Sequence, residues 1–325
     1  MSADVEKLEQ LAKKITEIKH EFSKVIIGQE EIIEKIIIGL LTNSHCLLVG
    51  VPGLAKTLLI KTLAEITGLE FKRIQFTPDL MPSDITGNEV LDIHPETNER
   101  FFKFIKGPLF SNIVLADEIN RTPPKTQSAL LEAMQEHTIT ASGTEYKLDE
   151  PFFVMATQNP IEQEGTYPLP EAQLDRFLFQ LNLNYPSESE EINVVKSTLS
   201  EQKRTPVSAV YSKTELLEHQ KFIDQLEVED HLVEYVVKFV QATRTTGEYP
   251  FSKYIRYGAG PRASQSLIKA ARCLAAIRGD LLVEKRHVNE LLEPVLMHRI
   301  LISYTGEAEG WSKQKLIEAI KQLEF

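Results

Sequence analysis

His45-Cys46-Leu47-Leu48-Val49-Gly50-Val51-Pro52-Gly53-Leu54-Ala55-Lys56-Thr57 is the stretch on which the reading of this 325-residue chain turns. Cys46–Val49 is a short apolar run of the kind that forms a buried strand. The run breaks at Gly50, passes through a Pro/Gly loop and enters a segment, 57–68, whose apolar positions recur at helical spacing. A strand, a glycine loop closing on Lys-Thr and then a helix make the context of a phosphate-cradling loop. Gly50 and Gly53 let the backbone curl so that successive N–H groups face phosphate oxygens, and the helix N-terminus adds partial positive charge. Lys56 would reach the β- and γ-phosphates, and the Thr57 hydroxyl would ligate Mg²⁺. The candidate phosphate-binding set runs from Gly50 to Leu58. Ala55 stands where the motif has its second glycine, which requires φ below zero at that position.

The chain carries 36 basic against 47 acidic residues, a formal net charge of −11. That balance argues against wholesale coating of nucleic acid and leaves room only for a local basic patch. The two cysteines, Cys46 and Cys273, lie in apolar runs without CxxC pairing and read as small buried hydrophobes of a reducing compartment. Eight histidines without HxxxH-type spacing give a histidine metal centre little support. No apolar run reaches the ~18 residues of a membrane helix, and the opening residues are charged and amphipathic rather than signal-like. The expectation is a cytoplasmic protein with no membrane span. Its length accommodates two domains.

Upstream of the loop, Leu8, Leu11, Ile15, Ile18 and Phe22 recur at helical spacing, and a second helix follows over 30–43. Between them, Ile26 and Ile27 either line an adenine pocket or join the core. Downstream, Glu70–Gln75 reads as a strand, and 88–107 as two β-type runs around the turn-rich HPETN, a hairpin. Ile113–Ala116 is a second buried strand, and it delivers Asp117 and Glu118 at its C-terminal end, the end that faces the ligand crevice in open α/β sheets. Strand alternation sends the two side chains apart. Asp117 suits the Mg²⁺ shell and Glu118 suits activation of the attacking water. Pro123 and Pro124 open a helix to 136, and 138–148 reads as another hairpin around Ser142-Gly143.

Phe152–Thr157 is a further strand ending in Gln158-Asn159, where Asn159 suits either polarising water beside a γ-phosphate or a turn before Pro160. Arg176 lies at a helix end before a last strand, Phe177–Leu183; in isolation it suits a surface salt bridge. After Tyr185-Pro186 the β-rich signal gives way to helices at 187–199, 213–226, 229–243, 262–278, 284–300 and 312–324. The shift divides the chain into 1–186 and 187–325. The segment 245–261 reads as a loop ending in Pro261, which places Arg262 in the first turn of a helix.

With these anchors located, the chain resembles the AAA+ ATPases, and among them the MoxR family. GVPGLAKT (50–57), LADEINRTPPKTQSALLEAMQE (115–136), FFVMATQNPIEQEGTYPLPEAQLDRF (152–177) and GAGPRA (258–263) stand in the family's order and spacing. Ala55 matches the family's own variant of the loop, whereas Gly260 stands where a serine is usual. The resemblance implies an α/β fold: a P-loop AAA+ core, with a parallel sheet sandwiched by helices and β-hairpin inserts, followed by an all-α lid. It implies ATP and Mg²⁺ as cofactors, with Lys56, Glu118, Asn159 and Arg176 catalytic. Asn159 is similar to sensor 1, Arg176 to the arginine finger offered to the neighbouring subunit, and Arg262 to sensor 2, contacting the γ-phosphate from the lid. Hairpin 88–107 is similar to the helix-2 insert and 138–148 to the pre-sensor-1 hairpin, both facing the pore of a homo-oligomeric, usually hexameric ring. Protein clients, and partners with von Willebrand factor A domains that are matured, given metal or assembled, follow from the same resemblance. A magnesium-chelatase-like subunit, a nucleic-acid motor and a nucleotide switch with little turnover are the competing readings; the net charge and the lack of a winged-helix or zinc module stand against the motor.

Overall fold

The computed structural model describes residues 3–96, 98–141, 143–162, 165–199, 206–244 and 249–323. Thr97 and Ser142 of the two expected hairpin turns, residues 245–248 of the expected loop and the end of the last expected helix lie outside the described residues. Helices α1 (Ala3–Ser23) and α2 (Glu30–Leu41) lead into β1 (Cys46–Gly50), α3 (Lys56–Thr67) and β2 (Phe71–Gln75). One helical turn, α4 (Pro82–Thr86), opens the hairpin β3 (Gly87–Ile93) and β4 (Arg100–Lys106). Then come β5 (Ile113–Asp117), α5 (Pro124–Glu136), the hairpin β6 (Thr138–Ala141) and β7 (Thr144–Lys147), and β8 (Phe153–Gln158). A single turn, α6 (Glu171–Leu174), precedes β9 (Phe179–Leu183) and α7 (Glu188–Leu199). The remainder is α8 (Lys213–Gln225), α9 (Asp230–Ala242), β10 (Ile255–Tyr257), α10 (Pro261–Ile277), α11 (Lys285–Leu296), β11 (Leu301–Ile302), α12 (Tyr304–Ala308) and α13 (Lys313–Lys321).

Among the described residues the central sheet has the order β2-β5-β8-β1-β9, and every pairing in it is parallel. Parallel strands are buried on both faces, which is why these strands are continuous apolar runs. Alternation then sorts their side chains. Leu48, Ile113, Leu115, Phe153 and Met155 face a cluster shared with α1, α2, α3 and the C-terminal helices. Leu47, Val114, Ala116, Val154 and Ala156 face a second cluster with α5 and the β6–β7 hairpin. Helices α1 and α2 pack on α10, so the first and last thirds of the chain share one core.

Three expectations need correction. The C-terminal segment is not wholly helical: Ile255 and Tyr257 pair antiparallel with Ile302 and Leu301. Runs of two or three residues carry no periodicity, so only the distant pairing reveals them. The helix expected over 284–300 stops at Leu296. The last strand begins at Phe179 rather than Phe177. The last two differences have one cause. Beyond Leu296 the chain turns, and His298 and Arg299 reach the carbonyl of Phe177: the His298 imidazole donates from 2.9 Å and the Arg299 guanidinium from 2.8 Å.

His45 enters the core at the start of β1. Its Nδ1 accepts the Val154 N–H at 3.0 Å, so Nε2 carries the proton and donates to the Met134 carbonyl at 3.0 Å. Burial holds the neutral form, pushing the pKa down to about 4. His298, also buried, is held well below its ordinary value by burial first and by the neighbouring Arg299 charge. An unfolded histidine binds a proton below pH ~6.5, whereas these two native ones resist it, so stability is complete above that pH and falls as pH drops. The His45 shift corresponds to about 3 kcal/mol lost by pH ~4. Urea unfolding between pH 7.5 and 5 should show stability falling on acidification, and His45→Gln should reduce that slope by close to one proton. A wild-type slope of zero over this range would contradict the burial argument.

Candidate active site

In a parallel sheet the C-terminal ends of all strands lie on one edge, and this edge collects the loop after Gly50, Asp117, Glu118 and Asn159. Gly50 is required by close packing, since a Cβ there would lie 2.7 Å from the Leu183 Cβ on β9. Gly53 has φ +89° and open space around it. Ala55 corrects the expectation of negative φ: it is left-handed, at φ 56° and ψ 23°. That conformation costs an L-residue roughly 1–2 kcal/mol, a strain of the kind stored at binding loops. Ala55 is the N-cap of α3 and offers no side-chain hydrogen bond to the helix. The first amides of α3 are therefore left for a ligand. Pro52 and Gly53 are exposed, while Leu54 is buried and Val51 and Leu58 pack on the core. Ile26 is a core member, and Ile27 is half-buried beside Gly28, whose Cα faces Glu190 of α7.

The Lys56 ammonium donates to the Gly50 carbonyl. Partial burial lowers its pKa, against the opposing pull of the Asp117 and Glu118 carboxylates, which places all three charges in one cleft. Asp117 ends β5, and its Oδ1 accepts the Thr157 hydroxyl at 2.6 Å while Oδ2 accepts Arg73 Nε at 3.0 Å and Nη2 at 2.6 Å. Glu118 has left the strand. It sits at φ 57°, so a backbone reversal rather than strand alternation separates the two carboxylates. Its N–H donates to Thr157 Oγ1 at 2.9 Å, which ties the reversal to β8. Glu118 Oε2 accepts Gln75 Nε2 at 2.8 Å and faces Arg121 Nε at 3.2 Å, and Arg121 also pairs with Glu162. Asn159 is 6% exposed; its Oδ1 accepts the Ile161 N–H at 3.1 Å, and its Nδ2 is buried with no hydrogen-bond partner among the described residues. An uncapped helix N-terminus, an ammonium, two carboxylates and an orphaned amide donor fit a metal-bound nucleoside triphosphate.

Arg176 and Arg262 are elsewhere. Arg176 precedes β9, its Nη1 donates to the Leu131 carbonyl at 2.8 Å, and its Nε is buried without a partner. It lines a cavity of about 260 Å³ with Ser44 and His45, which precede β1, and with Arg262 and Lys269 of α10. This is the opposite edge of the sheet. The five residues of β1, at about 3.3 Å each, separate it from the loop by roughly 15 Å, more than an arginine side chain spans. Arg262 thus does not share the cleft of its own Lys56, so within one chain it stands apart from the phosphate loop. Arg73, Gln75 and Thr157 did not emerge from motif reading. Gln75 and Thr157 do sit at the C-terminal ends of parallel strands, a position that itself marks crevice residues.

The sheet order, the loop–helix element and the carboxylate pair at the end of β5 define an AAA+ ATPase. The family model "ATPase family associated with various cellular activities (AAA)" matches residues 45–179, and the AAA lid domain matches 228–320. The chain is 43% identical to Chaperone MoxR1 of Mycobacterium tuberculosis, over 99% of this chain and 83% of that protein. It is 42% identical to the uncharacterized protein YeaC of Bacillus subtilis, over 92% and 90%. A crystal structure from Cytophaga hutchinsonii superposes with a TM-score of 0.90 at 43% identity, covering 98% of this chain and 97% of that one. The chain belongs to the MoxR family of AAA+ ATPases. No helix among the described residues is long and apolar enough to cross a membrane.

Replacing Lys56 by alanine should abolish ATP binding measured by calorimetry, since the backbone cradle alone cannot neutralise a triphosphate. Glu118→Gln keeps the side chain's shape and should retain binding while losing turnover; wild-type phosphate release by that variant would remove Glu118 from the chemistry.

Proposed function

We propose that the protein hydrolyses ATP to remodel protein clients, working as a homo-oligomeric ring, a hexamer as is usual in the family, in which each subunit completes its neighbour's site. The observation that carries this reading is the division of the candidate groups between two sheet edges roughly 15 Å apart. Lys56, Asp117, Glu118 and Asn159 gather on one edge and Arg176 and Arg262 on the other, so one chain holds two half-sites.

Lys56 and the loop amides hold the β- and γ-phosphates. Thr57 and Asp117 would hold Mg²⁺, which when bound neutralises phosphate charge. Glu118 takes a proton from water as the water oxygen bonds to the γ-phosphorus and the bond to the β–γ bridging oxygen breaks. Gln75 and Arg121 both engage Oε2, which leaves Oε1 for that proton. The Asn159 amide donates to the attacking water or to a γ-phosphate oxygen. Arg176, with Arg262 beside it, meets the charge developing on the neighbour's transferring phosphoryl group.

The name of the mycobacterial relative supports a chaperone role. So does the β3–β4 hairpin, where Leu91, Ile93, Phe102 and Ile105 are exposed; apolar surface of this kind suits protein contact. A von Willebrand factor A domain protein that is matured or given metal is the partner this reading carries.

Arg176→Ala should bind ATP as wild type does and turn over ~10³–10⁵-fold more slowly. Arg176→Ala subunits keep an intact phosphate loop, and Lys56→Ala subunits keep an intact finger. Two nearly inactive preparations should therefore regain ATPase activity when mixed under subunit exchange. Absence of recovery in rings shown by mass to be mixed would refute the trans arrangement.

A further inference from the structure

Arg176 is held from one side by the Leu131 carbonyl, and what fixes the backbone on its other side is a residue more than a hundred positions away. Arg299 follows the end of α11, and its side chain is 2% exposed. Its Nε donates to Asp175 Oδ1 at 2.7 Å. Its Nη2 donates to the carbonyls of Phe177 at 2.8 Å and Asp175 at 3.3 Å and to the Ser266 hydroxyl at 3.1 Å. Its Nη1 donates to the carbonyls of Leu178 at 3.3 Å and Val295 at 2.5 Å. His298 adds a second donor to Phe177 O, at 2.9 Å. Asp175, Phe177 and Leu178 flank Arg176, while Ser266 lies one turn beyond Arg262 on α10. A single guanidinium thus joins the segment that carries one arginine to the helix that carries the other.

Stability does not account for a charge at this place. Burying an ion pair costs desolvation that the pairing barely offsets, and an apolar side chain of similar volume serves a core as well. What an apolar side chain cannot do is specify geometry. The guanidinium has five donors in a rigid plane, and all of them are engaged here; lysine has the charge without the fork.

We infer that Arg299 is a positioning residue for the trans half-site: it sets where Arg176 and Arg262 stand relative to each other and to the neighbouring subunit's nucleotide. The inference rests on the proposal that Arg176 acts in trans. Arg299 is remote from the phosphate loop, so its effect falls on turnover and not on nucleotide binding. A displacement of about 1 Å in a reacting group costs on the order of 10²-fold in rate, so the loss of the fork should be visible.

The test uses Arg299→Lys in the full-length protein, with Asp175→Asn as a second variant that keeps the shape and removes the guanidinium's charged partner. The expected result for each is an unchanged ATP dissociation constant and KM with turnover lower by about 10–100-fold. Each should recover activity when mixed with Lys56→Ala, which supplies a correctly held finger, and should not recover when mixed with Arg176→Ala, which is damaged in the same half. If Arg299→Lys fails to fold, Asp175→Asn carries the same comparison. Wild-type turnover in the folded variants, or weakened ATP binding with no recovery beside Lys56→Ala, overturns the positioning role. The control pair distinguishes the two levels. Recovery of Arg176→Ala with Lys56→Ala but not of Arg299→Lys or Asp175→Asn refutes this inference alone, whereas no recovery in the control pair refutes the trans reading on which it stands.

Discussion

The polarity of a five-stranded parallel sheet is the constraint on which the rest of this structure depends. Every strand runs the same way, so one edge collects all the strand C-termini and the other all the N-termini. The two edges acquire different chemistry from the same short strands. Gly50, Asp117 and Gln158 end their strands on one edge, whereas His45 and Leu178 stand before theirs on the other, joined by the Leu178 N–H donating to the His45 carbonyl at 2.8 Å. Strand length then fixes the distance between the two groups of candidate side chains, and no rotamer change in one chain closes it. A chain built this way carries the phosphate loop and its carboxylates on one face and arginines on another, which is the geometry that the proposed trans arrangement requires.

Buried polar groups do the positioning on both edges. On the first, Thr157 donates to Asp117 and accepts from the Glu118 backbone, so one hydroxyl holds two carboxylates in different orientations. The left-handed backbone at Glu118 is tolerated because β8 over-determines it. On the second, Arg299 and His298 supply donors to carbonyls that would otherwise extend the last strand. In both places the polar network is nearly saturated. Buried atoms without a hydrogen-bond partner among the described residues include His298 Nδ1 and two, Asn159 Nδ2 and Arg176 Nε, on residues that the family resemblance marks for the nucleotide.

The hairpins are built on a different principle. At its base, β3–β4 is anchored by Phe104, stacked on Tyr146 of the second hairpin at a centroid distance of 4.5 Å and edge-on to Phe110 at 5.9 Å. Towards the tip the same strands expose Leu91, Ile93 and Phe102. The anchor joins the two inserts into one projecting unit, and the apolar tip is surface that the single chain leaves uncovered.

The sequence by itself determined the strands and helices whose pattern is local and long. The run from Cys46, the loop that follows it, the strand ending at Asp117 and the helix opened by Pro261 were legible because apolar periodicity, glycine placement and proline stops act over neighbouring residues. Family motifs added the identity of Asn159, Arg176 and Arg262 as residues of interest. Only the tertiary structure decided where those residues stand. Ala55, at the turn into α3, and Glu118, whose N–H is tied to Thr157 on β8, are both left-handed, which local preference for negative φ cannot anticipate. Gln75, Arg73 and Thr157 join the site through sheet neighbours far away in the chain. Arg262 lies across the sheet from its own phosphate loop, and Arg299 grips the segment around Arg176, because α11 packs on β9 and α10 packs on α11, contacts between segments far apart in the chain. Spacing along a chain specifies elements; which elements meet is decided by the burial of faces that only the complete fold brings together.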